Sequence, residues 1–192
     1  MAATMQDVAS RVREVLSDPG KTRWTDAALF YWASDALDML CHFAPQMFTK
    51  RGSHTTTAGA LQTLTVARAV AIVDVIGLTP LDVAALTAFA PAWQSGSVGA
   101  AQQWSAAQDG PKSFVIYPPQ AVSQTLTVDY VEAPAEITAL TDTLPVSDDF
   151  VGPLTDYVIG MAEAKDANHV SSGRAQVFMQ SFASKLGVKP QA

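Results

Sequence analysis

Two pairs of side chains have the spacing of metal ligands on a helix. Asp38 and His42 are four residues apart, and Asp166 and His169 are three residues apart. Side chains at these spacings lie on one face of an α-helix, so each pair could supply two ligands to a metal ion. A closed metal site needs three or four ligands, and the chain has only three histidines. We therefore interpret both pairs as solvated or helix-end polar pairs, and we predict no metal and no other cofactor.

A cluster of aspartates in the second half of the chain is the other candidate for a metal site. Its members are Asp142, Asp148, Asp149 and Asp156. Carboxylates can hold a hard cation, but these lack the glycine-punctuated spacing of a calcium-binding loop. Turn formation and helix capping explain them more simply. The cluster still leaves open a second interpretation, in which the protein is a small metal-dependent hydrolase.

No other residue has the setting of a catalytic group. No serine stands in a Gly-x-Ser-x-Gly sequence, and Cys41 lies inside a predicted helix, where a small buried side chain is expected. Gly96 and Gly99 form a lone Gly-x-x-Gly, without the preceding strand and following lysine that phosphate binding needs. The tryptophans have no basic groove beside them and are predicted to be core and interface anchors: Trp24, Trp32, Trp93 and Trp104. We predict no catalytic residue.

The one basic cluster away from the chain ends is formed by Lys50, Arg51 and His54. It lies in residues 46–60, where the apolar periodicity stops and the chain is predicted to be an extended excursion with a strand in it. A long loop inside a compact chain often has a function. We therefore predict these three residues as candidate partner contacts.

Apolar periodicity and helix caps predict helices near both ends of the chain. The predicted helices cover residues 5–16, 26–43, 147–166 and 172–186. Thr25 is predicted to cap the second helix, with Trp24 packing on Leu29, and Gly187 to end the last one. The third helix is predicted to bury one apolar stripe, formed by Leu154, Tyr157, Val158, Met161 and Ala162.

The middle of the chain is predicted to be rich in strands. The predicted strands cover residues 61–66, 69–76, 113–117 and 125–131, a short helix covers 81–88, and further helical turns lie within 97–107. The fold class is therefore α+β, mainly a helical bundle of the N- and C-terminal helices with a β-rich insertion of hairpins. The predicted domains are a bundle of residues 1–45 and 146–187, an insertion of residues 46–145 and a tail of residues 188–192.

Composition limits the kinds of partner. The net charge is −6, which argues against gripping nucleic acid through a basic surface, because such binding rests on neutralising phosphates. One cysteine excludes an intrachain disulfide framework and fits assembly in a reducing compartment. The N-terminus lacks the apolar segment of a secretory signal. The longest apolar run, residues 69–78, is short and contains Asp74, so we predict no membrane contact.

The order of several short phrases resembles the head-to-tail adaptor proteins of tailed bacteriophages. The phrases are VREVLSD at residues 12–18, RWTD at 23–26, FVIYPP at 114–119, DTLPV at 142–146 and LTDYV at 154–158. The resemblance implies a non-enzymatic protein of the virion, made in the host bacterial cytoplasm. It implies a ring, usually a dodecamer, that binds the portal, extends the DNA channel used in genome ejection and provides the platform for a downstream tail or nozzle protein. Double-stranded DNA would pass through the lumen without specific binding.

The resemblance also implies that a chain terminus contacts the portal. Val188, Lys189 and Pro190 are candidate partner contacts on that ground. An alternative within the same machine is another ring component, such as a tail-tube or stopper protein.

Overall fold

A computed structural model describes residues 2–107, 109–121, 123–165 and 172–187. These residues form a mixed α and β protein with five α-helices and two sheets, which agrees with the predicted α+β class. The chain divides into two compact units: a helical unit of residues 1–47 and 134–192, and a sheet unit of residues 48–133. The finer predicted division at residues 45 and 145 stays a prediction.

The helices and strands follow one another in chain order. The helices are α1 (Met5–Val15), α2 (Asp26–Phe43), α3 (Val83–Phe89), α4 (Val151–Lys165) and α5 (Ser172–Lys185). The strands are β1 (Thr49–Thr55), β2 (Gly59–Thr63), β3 (Ala69–Ile76), β4 (Thr79–Pro80), β5 (Gln103–Ala106), β6 (Ser113–Gln120) and β7 (Thr125–Glu132).

Residues next to the helix ends account for where α2 begins and where α5 ends. The Thr25 hydroxyl accepts a hydrogen bond from the Ala28 amide at the start of α2, as the cap prediction requires. The ring of Trp24, just before that cap, packs edge-on against Trp32 with centroids 5.4 Å apart. Gly187 follows α5 with φ of 73°, the left-handed conformation that glycine adopts at the lowest cost. The predicted cap at Thr25 and the predicted helix end at Gly187 are confirmed, whereas the packing of Trp24 on Leu29 stays a prediction.

Helix α4 is the centre of the helical unit, because α1, α2 and α5 each pack on it. The predicted single stripe is therefore too narrow. Leu154, Tyr157, Val158 and Ala162 are buried as expected and Met161 is half-buried, but other faces of the helix are buried too, at Val151, Pro153, Thr155, Ile159 and Gly160. Asp148–Phe150 form a 3-10 turn before α4, and Pro153 falls within its first turn, as predicted.

Main-chain hydrogen bonds join residues 134–145 to the helical unit. The Met5 amide donates to the Asp142 carbonyl and the Leu144 amide donates to the Ala3 carbonyl, each at 2.9 Å. The Ile137 amide donates to the Ser34 hydroxyl on α2, also at 2.9 Å. No pattern in the sequence predicts these hydrogen bonds.

The sheet unit contains a three-stranded sheet in the order β1-β7-β3 and a four-stranded sheet in the order β2-β6-β5-β4. A core cluster lies in this unit, formed by Val75, Ala101, Phe114, Ile116, Leu126 and Val128. The prediction of helical turns within residues 97–107 is wrong, because residues 103–106 form β5 and pair with β6. Strand pairing with residues distant in sequence outweighs the helical propensity of this alanine-rich stretch.

Candidate assembly surfaces

Three of the four aspartates of the acidic cluster, Asp142, Asp148 and Asp156, have structural partners. The Asp142 carboxylate accepts hydrogen bonds from the Thr138 and Ala139 amides at 2.8 and 2.9 Å, which hold its pKa below the ordinary value. Asp148 accepts from the Ala3 amide at 3.0 Å, and Asp156 accepts from Ser181 and Lys185. The turn interpretation fits Asp142, whereas Asp148 ties the N-terminal segment and Asp156 joins α4 to α5.

No three His, Cys, Asp or Glu side chains lie close enough to hold a metal ion in the described part of the chain. Asp38 and His42 are exposed on α2. Asp166 and His169 lie outside the described residues. Cys41 is buried, and burial raises the pKa of its thiol, so the reactive thiolate is disfavoured.

The basic cluster predicted from sequence does not form one surface. Lys50 pairs with Glu132, with 2.8 Å between Nζ and Oε2. Arg51 donates from Nε and Nη2 to the two carboxylate oxygens of Asp129 at 2.6 and 2.8 Å, and this hydrogen bonding lowers the pKa of Asp129. Side chains alternate along β1, so Lys50 and Arg51 lie on opposite faces of the sheet.

His54 belongs to the interior of the sheet unit. It is 5% exposed, its ring packs edge-on against Phe114 with centroids 5.4 Å apart, and its Nε2 lies 3.5 Å from Oε1 of Gln62. A buried ring of this kind offers no surface to a partner of the folded unit. Val188, Lys189 and Pro190 lie outside the described residues.

A different surface of the sheet unit has the composition of a protein interface. Residues 83–107 contain no Asp, Glu, Lys, Arg or His. Helix α3 has no buried residue, and the ring of Phe89 at its end is 91% exposed. Charge depletion and exposed aromatic rings are typical of the centre of protein interfaces. We call residues 83–107, with the two cavities described next, the uncharged surface.

Two open cavities adjoin α3 and the loop that follows it. The first has a volume of about 460 Å³ and is lined by Ala90, Pro91, Ala92, Trp93, Gly96, Ser97, Tyr117 and Pro118. The second has a volume of about 390 Å³ and includes Val98, Gly99, Ala100 and Gln120. Trp93 fixes the first cavity, since its Nε1 donates to the Thr87 hydroxyl at 3.1 Å and its ring packs edge-on against Tyr117. The linings contain no Asp, Glu, Lys, Arg or His among the described residues, so they suit apolar contacts.

No function is predicted for the uncharged surface from sequence motifs. The missing charged residues were a visible signal, because a solvated surface normally carries them. Trp32 and Trp93 are each 4% exposed, which confirms the prediction that they are anchors. Among the described residues, no helix combines the length and the apolar composition that crossing a membrane requires.

A family model described as SU10 adaptor protein matches residues 3–192, so the chain belongs to the SU10 adaptor protein family. The family is one of phage adaptor-type structural proteins, which indicates a virion component that interacts with other capsid or tail components. A search of curated proteins finds no match for the chain.

Proposed function

We propose that the protein is the head-to-tail adaptor of a tailed bacteriophage. Its copies form a ring, expected to be a dodecamer, below the portal. The ring extends the DNA channel and is the platform for the next tail or nozzle protein. Family membership supports the adaptor class, and the alternative within this class is another ring component, such as a tail-tube or stopper protein.

The uncharged surface is the observation that carries the assembly part of the proposal. A ring protomer must bury surface against its neighbours, and exposed apolar groups without charges lose little on leaving water. A phenyl ring that is 91% exposed, beside an aromatic-walled cavity, is suited to that role. We propose that the uncharged surface contacts another subunit of the virion, either a second copy or a neighbouring protein.

The charges of the chain suit a channel through which DNA slides. The net charge is −6, and Lys50 and Arg51 of β1 are paired with carboxylates of β7. Cations that are already paired in this way offer fewer free contacts to phosphates, and like charges provide none. We therefore propose that double-stranded DNA passes the ring without being held by it.

The proposed domain arrangement is a helical bundle of residues 1–45 and 146–187 with a β-rich insertion of residues 46–145. The packing of α1, α2 and α5 on α4 supports the bundle. Lys50 and Arg51 remain proposed partner contacts, because their side chains are 61% and 64% exposed. Val188, Lys189 and Pro190 remain proposed contacts on the basis of the resemblance alone.

The test is to add the purified protein to tail-less, DNA-filled capsids, follow binding by mass photometry and image the portal vertex by negative stain. We expect a ring of density at that vertex. The variant Phe89→Ser should reduce its occupancy, whereas Leu61→Ser, which changes an exposed leucine on β2, should not. A protein that never binds capsids and retains a stoichiometric metal ion would overturn the proposal in favour of the hydrolase.

A further inference from the structure

The three-stranded sheet has two open edges. Its strand order is β1-β7-β3, so β1 and β3 each have a neighbouring strand on one side only. Apart from the pairing with β7, no main-chain hydrogen bond among the described residues involves residues 50–55 or 70–74. The main-chain groups that point outward from these two edges can therefore pair with a further strand.

Strand β3 is an apolar edge strand. Val70, Val73 and Ile76 are each 40–49% exposed, and Asp74 is the single charged residue of the strand. An edge strand that stays unpaired is commonly protected by lysine or proline, and β3 contains neither. Exposed aliphatic side chains along an open edge favour pairing with another strand.

Two bulges bend β3. Its register with β7 shifts between Ala69 and Ala71 and again between Ile72 and Asp74. Bulges can shield an edge, but the extra residues here are exposed valines rather than charged residues. A bulge also bends and twists its strand, which gives a sheet the curvature that closure requires. The bulges of β3 therefore suit a sheet that continues around a ring.

The two edges carry opposite charges. Strand β1 contains Lys50 and Arg51 and no carboxylate, whereas β3 contains Asp74 and no cation. Pairing of β1 with a second β1 would bring cations together, and pairing of β3 with a second β3 would bring carboxylates to the same contact. Like charges opposite each other in a sheet are destabilising. The charges therefore favour a contact between β3 and β1.

Arg51, Asp129 and Asp74 form a row across one face of the sheet. Asp129 on β7 lies opposite Arg51 on one side and opposite Asp74 on the other. Arg51 binds Asp129, whereas Asp74 has no ion pair with any residue that the structure describes. Asp74 thus lies beside a like charge, and a cation beyond the β3 edge would relieve the repulsion.

Arg51 of a second copy can supply that cation. Its side chain is exposed, and only Nε and Nη2 bind Asp129. A guanidinium has five N–H donors, so Arg51 can bind a second carboxylate as well. It lies on the same sheet face as Asp74, because both lie opposite Asp129.

We propose that β3 of one copy pairs with β1 of the neighbouring copy, so that the three-stranded sheets of successive copies join into one continuous sheet around the ring. Asp74 then lies beside Arg51 of the neighbouring copy, and Ile76 lies beside its Ser53. This inference rests on the proposed ring, because it supplies the contact from each copy to the next. The contact is heterologous, since the two edges differ, and repeated around an axis such contacts close a ring.

Strand direction and length agree with this contact. Both β1 and β3 run antiparallel to β7, so they point the same way. Copies of a ring are related by rotation, which keeps the direction of a strand along the axis, so the new pair is parallel. The strands have seven and eight residues and can pair along nearly their whole length. Main-chain hydrogen bonds then give the affinity, and the charged row gives the specificity.

Reversing the charge of Asp74 tests the contact without weakening the free protein. Asp74→Lys places a cation beside Arg51 of the next copy and should weaken ring formation on capsids by about tenfold or more. Within the chain the same change places a cation beside Asp129, so thermal unfolding of the free protein should not be impaired. The control Asp109→Lys changes the net charge equally at an exposed position and should leave ring formation unchanged. Normal rings from Asp74→Lys, or an equal loss in the control, would overturn the proposal.

Reversing the whole row should rescue ring formation. Arg51→Asp with Asp129→Arg keeps an ion pair within the chain but places a carboxylate beside Asp74 of the next copy, so rings should again be weakened. Adding Asp74→Lys reverses every charge of the row and should restore them. If the triple variant forms no more rings than the double variant, the proposal is wrong.

Cysteine cross-linking tests which strands meet. The single native cysteine is first removed by Cys41→Ala, and Ser53→Cys and Ile76→Cys are introduced. Within one chain β7 separates these positions by two strand spacings, about 9–10 Å, which is too far for a disulfide, whereas adjacent strands are within reach. Mild oxidation of rings assembled on capsids should therefore give a ladder of covalent oligomers on a non-reducing gel.

Variants with one introduced cysteine distinguish this contact from its alternatives. Neither Ser53→Cys nor Ile76→Cys alone should cross-link, and an equal mixture of the two should give dimers and nothing larger. A dimer from either variant alone would show a contact between identical strands and would overturn the proposal. Capture of the portal protein by either thiol, in place of a second copy, would also overturn it.

Failure of the contact and failure of the adaptor function give different results. Rings of the double-cysteine variant on capsids without the cross-linked ladder would refute the contact and leave the proposed adaptor function intact. Absence of rings from the wild-type protein would refute the adaptor function and this contact with it.

Discussion

The helical unit and residues 83–107 of the sheet unit differ in their charged side chains. In the helical unit Asp18, Asp142 and Asp148 accept hydrogen bonds from main-chain amides and so fix the path of the chain. In the sheet unit residues 83–107 have no charge and expose apolar groups. Charged groups that are hydrogen-bonded inside a unit stabilise it, whereas a surface free of charge can leave water at little cost. If the uncharged surface has its proposed role, stability and assembly depend on separate sets of residues.

Asp18 is the clearest example of a carboxylate that fixes the path of the chain in the helical unit. Its carboxylate is 4% exposed and accepts hydrogen bonds from the Thr22, Arg23 and Trp24 amides and from the Thr22 hydroxyl. Arg13 lies 3.6 Å from the same carboxylate and also binds Asp26 at 2.6 Å. Burial alone would raise the pKa of Asp18, but these hydrogen bonds outweigh it and leave the pKa below the ordinary value. One carboxylate thus holds the turn between α1 and α2.

The largest expected difference in stability is between two phenylalanine variants of the sheet unit, one in its core and one on its uncharged surface. Phe114→Ala should lower the free energy of unfolding by about 3–5 kcal/mol, because Phe114 is fully buried and its loss leaves a cavity. Phe89→Ala removes the same atoms, but from an exposed ring. It should change the free energy of unfolding by less than about 0.5 kcal/mol. Urea unfolding measures both. Equal losses would mean that Phe89 is part of the core and would end the distinction between stability and assembly.

The second test concerns Asp18 and pH. Asp18→Asn should cost about 2–3 kcal/mol at neutral pH, because an amide NH₂ would face N–H donors that a carboxylate accepts. The lowered pKa means that this stabilisation is complete above the unfolded pKa, about 4, and is lost as the pH falls through the folded pKa. Thermal unfolding between pH 6 and pH 3 should therefore show the wild type approaching the variant at the acid end.

Asp109→Asn, at an exposed position of the sheet unit, is the matched control for this series. Its unfolding curve should follow the wild type at every pH. A constant gap between wild type and Asp18→Asn down to pH 3 would show that the carboxylate acts by its shape and not by its charge.

Trp24 gives the smallest expected effect. Trp24→Ala removes a half-buried ring that packs on Trp32 and should cost about 1–2 kcal/mol. Tyr31→Ala, on the exposed side of the same helix, should leave the melting temperature unchanged. Differential scanning calorimetry compares them. An unchanged melting temperature for Trp24→Ala would remove the anchor role assigned to this residue.

The sequence alone determined those features whose partners lie within one helical turn. Thr25 and Gly187 mark helix ends because their hydrogen bonds or backbone angles involve neighbouring residues. Apolar periodicity located α1, α2 and α5, and residue order carried the resemblance to phage adaptors. The sequence also shows that residues 83–107 have no charged side chain. It does not show which surface of the protein these residues form.

Only the tertiary structure decided features whose partners are far away in the chain. Arg51 meets Asp129 78 residues later, and β5 forms where alanines favour a helix because β6 lies beside it. His54 is buried because Phe114 covers it, and α4 is buried on several faces because three helices pack on it. A linear pattern records each residue's preference but not its distant neighbours, and packing energy outweighs such local preferences.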